Sequence, residues 1–163
     1  MNRRQFIIKG ILVGFLPCLM PMGTFAHHGK IQPITLSKEQ WRKKLTPERF
    51  RILREEGTEY PYSSPLNNEK REGTYHCAGC DLPLFESSAK YDSGTGWPSF
   101  FQSIPGHMET KTDYRIIYPR TEYHCARCGG HQGHLFDDGP RPSGQRWCNN
   151  GLALHFKPKE TSE

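Results

Sequence analysis

Six cysteines, at positions 18, 77, 80, 125, 128 and 148, separate into groups by their spacing. Cys77/Cys80 and Cys125/Cys128 form two C-x-x-C pairs, the arrangement that places four thiolates around a tetrahedral Zn²⁺. A single pair would equally suit a redox disulfide, and two redox disulfides are the alternative for both pairs. Two similar knuckles in one short chain favour a single structural Zn²⁺ with all four positions filled and none open for chemistry. The knuckles read Tyr75-His76-Cys77-Ala78-Gly79-Cys80 and Tyr123-His124-Cys125-Ala126-Arg127-Cys128-Gly129-Gly130. Their small residues give the backbone freedom to turn N–H groups toward sulfur and share the thiolate charge. Cys18 lies in an apolar leader, so Cys148 is left over. Arg146 stands two residues before it, and on a strand residues i and i+2 share a face, so a guanidinium can hold that thiol as thiolate. A lone cysteine without further clues reads as a buried structural residue. Its neighbours have to decide.

Two other stretches carry chemistry. Gly94-Thr95-Gly96-Trp97-Pro98-Ser99-Phe100 is a glycine-rich turn that presents an aromatic ring. Taken alone, Trp97 fits a core position better. His131-Gln132-Gly133-His134-Leu135-Phe136-Asp137-Asp138-Gly139-Pro140 follows the second knuckle directly. Two histidines three apart suit either metal ligation or an exposed polar turn.

In chain order the stretches are C-x-x-C, G-W-P-S-F, C-x-x-C followed by H-x-G-H-x-F-x-D-G-P, and Arg146-Trp147-Cys148-Asn149-Asn150. That series resembles the methionine sulfoxide reductase B family over about residues 37–158. The resemblance implies a mainly β fold, two packed antiparallel sheets with short N-terminal helices and a four-cysteine zinc site. It also implies thiol-dependent reduction of the R epimer of methionine sulfoxide, peptide-bound or free. Cys148 would be the nucleophile and would be left as sulfenic acid. His131, His134 and Asn150 match residues that contact the substrate oxygen and deliver a proton. Arg146 matches the residue that helps hold the thiolate, Trp97 the ring that packs on the substrate methyl group, and Phe136 fits the same wall. Many members carry a resolving cysteine as G-C-G-W-P-S-F. Thr95 stands there instead, so recycling falls to an external thiol such as a thioredoxin-like protein. Asn149 and Gly151 stand where the family has an aliphatic residue and often serine.

The chemistry asks for these residue types independently. A sulfoxide is a poor electrophile until its oxygen receives a proton or strong hydrogen bonds, and histidine suits that role near neutral pH. The thiolate is the competent nucleophile. An S-methyl group is favourably bound by aromatic rings, and methionine sulfoxide is a reversible lesion whose two epimers have separate reductases.

Short elements have to position these groups. Ser37-Lys38-Glu39-Gln40 matches a capping box and predicts a helix to about Leu45. Thr46-Pro47 predicts a second, with Phe50 and Leu53 facing the core and Gly57 as its stop. Residues 58–71 read as an irregular loop. From Gly73 onward the pattern is β, with apolar runs at Leu84-Phe85, Tyr114 to Tyr118, Tyr123, Leu135-Phe136 and the alternating Leu152, Leu154 and Phe156.

Residues 1–26 combine a basic start, an apolar run from Ile11 to Met20, and Thr24-Phe25-Ala26 as a cleavage site. Arg3-Arg4-Gln5-Phe6-Ile7 resembles a twin-arginine export motif. The expected organisation is therefore an export signal at 1–26, a linker at 27–36 and the reductase-like domain at 37–163. Export places the domain in the periplasm of a Gram-negative cell, an uncleaved membrane anchor being the alternative. Twin-arginine export carries folded proteins, so the thiols could bind zinc before meeting an oxidising compartment. Of 22 basic residues three lie in the leader, leaving 19 against 17 acidic ones in a near-neutral domain. A zinc-ribbon module binding nucleic acid or protein predicts a basic stripe, and that balance does not supply one. The expectation is no nucleic-acid partner and a monomer. A zinc hydrolase using His131 and His134 would need a second metal.

Overall fold

The computed structural model describes residues 31–160, and the expected export leader lies outside them. Helix α1 spans Lys38–Lys44 and opens on a complete capping box. Ser37 Oγ accepts from the Gln40 N–H at 3.3 Å, and Gln40 Oε1 accepts from the Ser37 N–H at 2.7 Å. Helix α2 spans Pro47–Glu55 with Thr46 as its N-cap. Phe50 and Leu53 are buried as expected, together with Trp41 and Ile52. The stop comes one residue before Gly57: Glu56 itself turns left-handed at φ 51°, and the Gly57 N–H closes on the Arg51 carbonyl at 2.9 Å. Residues 31–36, expected to be linker, run without helix or strand, and Ile31, Ile34 and Leu36 pack on the core.

Nine strands follow among the described residues: β1 (Gly73–Cys77), β2 (Pro83–Glu86), β3 (Lys90–Tyr91), β4 (Ser99–Phe100), β5 (Met108–Asp113), β6 (Arg120–Cys125), β7 (His131–Phe136), β8 (Arg146–Asn149) and β9 (Leu154–Pro158). They form two antiparallel sheets, ordered β2-β1-β9 and β3-β4-β8-β7-β6-β5. Tyr75, Leu84, Phe85 and Leu154 from the small sheet meet Phe100, Tyr123 and Trp147 from the large one. Phe85 stacks on Phe100 with centroids 4.0 Å apart, and Tyr123 meets Trp147 edge-on at 4.9 Å. Each such ring contributes roughly 1.5–3 kcal/mol by burial, and the pairings about 0.5–1.5 more. This core fixes the register of β8, which carries the left-over cysteine.

Two expected strand segments are not strands. β5 ends at Asp113, and Tyr114 to Tyr118 form the exposed connection to β6, with Ile117 94% exposed. Asp113 Oδ1 accepts from the Arg115 N–H at 2.9 Å, and Arg115 reaches the Glu55 and Glu56 carbonyls, so the backbone turns away before the apolar run can pair. Leu152 belongs to a 3₁₀ turn, Gly151–Ala153, because the Glu59 carboxylate accepts the Gly151 and Leu152 N–H groups that a strand would have paired.

Candidate active site

Alternation along β8 sends Arg146 and Cys148 to one face and Trp147 into the core. Cys148 lies opposite Ser99 of β4 and His134 of β7, while Phe136 lies opposite Arg146. Residues directly opposite on antiparallel strands have Cβ atoms about 4.5–5.5 Å apart on the same face. The nucleophile candidate and one histidine candidate therefore meet by sheet register alone. Gly133 permits the close pairing, since a Cβ there would collide with the Cys148 carbonyl oxygen. A cavity of about 130 Å³ opens beside them, with Trp97, Phe136, His134, Cys148, Asn150 and Arg120 in its lining. Trp97 is held by its indole N–H, which donates to the Glu59 carbonyl at 3.2 Å.

The two histidines differ. His134 Nε2 lies 2.8 Å from Asp113 Oδ2, and Asp113 also accepts from Arg120 at 2.6 Å. Burial pushes the His134 pKa down, against the upward pull of Asp113. The Arg115 backbone N–H, with His134 and Arg120, holds the Asp113 carboxyl well below the usual range in spite of its desolvation. His131 lies deeper, 2% exposed, with Nδ1 2.7 Å from Glu122 Oε1. Its Nε2 is buried without a partner among the described residues, and His131 does not line the cavity. Desolvation would raise the Glu122 carboxyl, but the hydrogen bond from His131 and the proximity of His124 and Lys111 hold it low. Asn150 borders the cavity with its amide already engaged: Oδ1 accepts from the Glu59 N–H at 3.1 Å and Nδ2 donates to the Gln132 carbonyl at 3.0 Å.

Arg146 reaches Asp138 with two hydrogen bonds of 2.7 and 2.8 Å and lies 4.2 Å over the Phe136 ring. Its charge is thus shared with a carboxylate. Burial pushes the Cys148 thiol up, and Arg146 and the nearby Thr95 hydroxyl pull it down without overcoming that. Arg146, expected to help hold the thiolate, acts in that direction on Cys148, against the opposing effect of burial. Thr95 Oγ1 lies 2.8 Å from Ser93 Oγ, which lies 2.7 Å from Ser99 Oγ, so a short hydroxyl chain runs beside the sulfur.

The four knuckle cysteines converge at the ends of β1 and β6, and their sulfurs all lie within 4.8 Å of one another. Cys77 Sγ and Cys128 Sγ are 3.7 Å apart, Cys80 Sγ and Cys125 Sγ 3.5 Å. Those separations are far beyond a disulfide bond and match the edges of about 3.8 Å that a tetrahedral site with metal–sulfur bonds near 2.3 Å requires. The cluster could hold a metal ion such as zinc. The Gln132 amide donates to Cys77 Sγ at 3.5 Å, support from outside the ligand set.

The SelR domain model matches residues 45–158. The chain belongs to the methionine sulfoxide reductase B family. It is 50% identical over 127 residues to chloroplastic peptide methionine sulfoxide reductase B1 of Arabidopsis thaliana, covering 77% of this chain and 63% of that protein. It is 49% identical over 133 residues to peptide methionine sulfoxide reductase MsrB of Pseudomonas putida, covering 80% of this chain and 98% of the relative. Human mitochondrial methionine-R-sulfoxide reductase B2 is 49% identical over 135 residues, or 78% of this chain and 74% of its own. The chain spans less than two thirds of the Arabidopsis protein's length.

Both departures from the family pattern beside Cys148 have physical accounts. Asn149 is fully buried, accepts from the Tyr123 hydroxyl at 2.8 Å and donates to the Asn150 carbonyl at 2.8 Å, so its polar atoms are satisfied inside the core. At Gly151 a Cβ would collide with Ser64 Oγ, so the Ser64 hydroxyl occupies the space a side chain would need. Asp138 stands inside the H-x-G-H-x-F-x-D-G-P motif, yet its partnership with Arg146 emerges only from the fold. Asp113, Glu122 and Glu59 had no sequence signal, because sheet pairing and loop return bring them in from 9 to 92 residues away.

Proposed function

We propose that this protein is a peptide-methionine (R)-S-oxide reductase in which Cys148 acts without a resolving cysteine. The observation that carries the reading is the register pair His134–Cys148 beside a cavity walled by Trp97 and Phe136. The substrate S-methyl group packs on those rings. The Cys148 sulfur attacks the sulfoxide sulfur, the oxygen passes to Cys148 as the original S–O bond breaks, and methionine leaves. The balance is one thiol plus one sulfoxide giving one sulfenic acid plus one thioether. The proton lost by the thiol is the one the oxygen gains. With Nε2 turned to Asp113, His134 keeps Nδ1 for relaying that proton, and no net charge is created in the buried site. This suits a raised thiol pKa and a lowered imidazole pKa. His131, anchored by Glu122, backs His134 at a ring distance of 5.5 Å, and Asn150 fixes the loop that follows the nucleophile. Arg146 moderates the thiol, steadied by Asp138.

One external thiol then displaces water from the sulfenic acid to form a mixed disulfide, and a second thiol releases Cys148. A thioredoxin-like protein fits this need, with Thr95 in place of a resolving cysteine. Cys77, Cys80, Cys125 and Cys128 hold one structural Zn²⁺, which supplies folding energy. Tyr60, Tyr62, Tyr114, Ile117 and Tyr118 are exposed on the loops that lead to Thr58 and Arg120 at the cavity rim, and they favour a polypeptide substrate. The domain acts as an exported monomer, periplasmic in a Gram-negative cell. The test is turnover of separated R and S epimers of a methionine sulfoxide peptide with dithiothreitol. Consumption of R alone is expected, and equal consumption of both or neither would overturn the assignment.

A further inference from the structure

Outside the reductase site and the cysteine cluster, a third group of donors converges on the small sheet. His76 of β1 and His155 of β9 are register partners, so both imidazoles leave the same face, with centroids 5.4 Å apart and planes at 25°. Asp81, in the turn after Cys80, brings its carboxylate between them from a left-handed backbone at φ 63°. His155 Nε2 lies 2.8 Å from Asp81 Oδ1, and His76 Nδ1 lies 3.3 Å from the same oxygen and 3.0 Å from the Asp81 carbonyl oxygen. Lys157 Nζ takes the other carboxylate oxygen at 2.6 Å, which fixes the rotamer and leaves Oδ1 toward the histidines. The three candidate ligand atoms lie within 4.8 Å of one another.

We propose that His76, Asp81 and His155 form a second, surface metal site for a divalent transition cation of the Zn²⁺ or Cu²⁺ type. Donors about 2.0–2.2 Å from a tetrahedral ion stand roughly 3.3–3.5 Å apart, so closure from the present spacing needs only side-chain adjustments on the order of an ångström. Two imidazoles and one carboxylate select zinc, copper or nickel over calcium and magnesium, which prefer all-oxygen shells. Partial exposure leaves the remaining coordination position to water. The site bridges β1, β9 and the first knuckle, so an ion there pins the C-terminal strand to the turn that carries Cys80.

The test uses the full zinc-loaded chain dialysed against micromolar free Zn²⁺, with metal counted by mass spectrometry. Two ions per chain are expected, falling to one in both His155→Gln and Asp81→Asn, with a shift of the His155 imidazole resonance on loading of the second ion. The melting temperature should rise with added Zn²⁺ in the unmodified protein and lose that rise in the variants. His155 and Asp81 are not cluster ligands, so the ion held by the four cysteines stays and reports that the variants fold. One ion per chain in the unmodified protein overturns the proposal. So does a second ion that persists in both variants, which would place it elsewhere, as at Cys148 and His134.

Discussion

The five described cysteines share one domain, and they sit in opposite surroundings. Cys77, Cys80, Cys125 and Cys128 sit at the ends of two strands where tight turns bring four sulfurs into one buried cluster. Cys148 sits mid-strand, with its sulfur beside a cavity and with a histidine, a threonine hydroxyl and a guanidinium around it. In the cluster each thiol is one of four equivalent donors, so a metal can satisfy all of them and none stays reactive. At Cys148 the neighbours are an imidazole, a hydroxyl and a guanidinium, which leave a sulfur uncapped. Neighbour chemistry, as much as burial, distinguishes the two surroundings.

Substituting one cysteine from each group breaks the comparison most severely. Cys148→Ser should abolish turnover while keeping the metal content and the melting temperature of the parent. Cys77→Ser or Cys125→Ser should lose the metal and about 3 kcal/mol or more of stability, read by metal analysis and thermal unfolding. A Cys148→Ser protein with parental activity would end the nucleophile assignment. A Cys77→Ser protein with its metal and melting temperature intact would do the same for the cluster.

The proton-carrying half of the comparison is next in size. His134→Ala should lower kcat by about 10²–10⁴ while the domain remains folded. Asp113→Asn should lower it less. Because Asp113 raises the His134 pKa against burial, its loss moves the acid limb of kcat/KM to lower pH. An acid limb that stays in place in Asp113→Asn would mean that another group sets it.

Gly151 offers a structural test of the loop after the nucleophile. Gly151→Ala should cost roughly 1–3 kcal/mol through its clash with Ser64. Removing that side chain in the Ser64→Gly/Gly151→Ala double variant should return most of the loss, a coupling read by a double-mutant cycle. Simple additivity would show that the loop moves aside instead.

Local signals were legible in the sequence. The capping box at Ser37, the Thr46-Pro47 start and the C-x-x-C pairs are all chemistry within a few residues, and all appear in place. The alternation that put Arg146 and Cys148 on one face was equally local, and so was the motif holding His134 and Phe136. The partners that tune those groups were not legible. Asp113 reaches His134 through strand pairing, and Glu59 reaches Gly151 across a loop return. The run from Tyr114 to Tyr118 misled because apolar content is the usual mark of a strand, whereas here a side-chain turn at Asp113 and contacts from Arg115 set the backbone first. Likewise the pairing of Arg146 with Asp138 was hidden inside a motif whose letters were already present.

The smallest effect concerns the pKa of the Cys148 thiol and decides how far its surroundings activate it. Burial raises it, Arg146 lowers it and the Thr95 hydroxyl lowers it further, with burial prevailing. Iodoacetamide alkylation of Cys148 should therefore rise with pH through a midpoint above that of a free cysteine. Arg146→Ala should move the midpoint up, and Thr95→Val should move it up by less, since a neutral hydroxyl is lost in place of a charge. The sign extends to stability. A thiol with a raised folded pKa binds its proton longer in the native state than in the unfolded one. Its contribution is fully present below the unfolded pKa and is lost as pH rises through the folded value. Cys148→Ser should then show a shallower loss of stability on the alkaline side than the parent. A Thr95→Val midpoint equal to or below the parent's would show that the hydroxyl does not reach the sulfur, and that the threonine at this turn merely fills the space of the missing resolving cysteine.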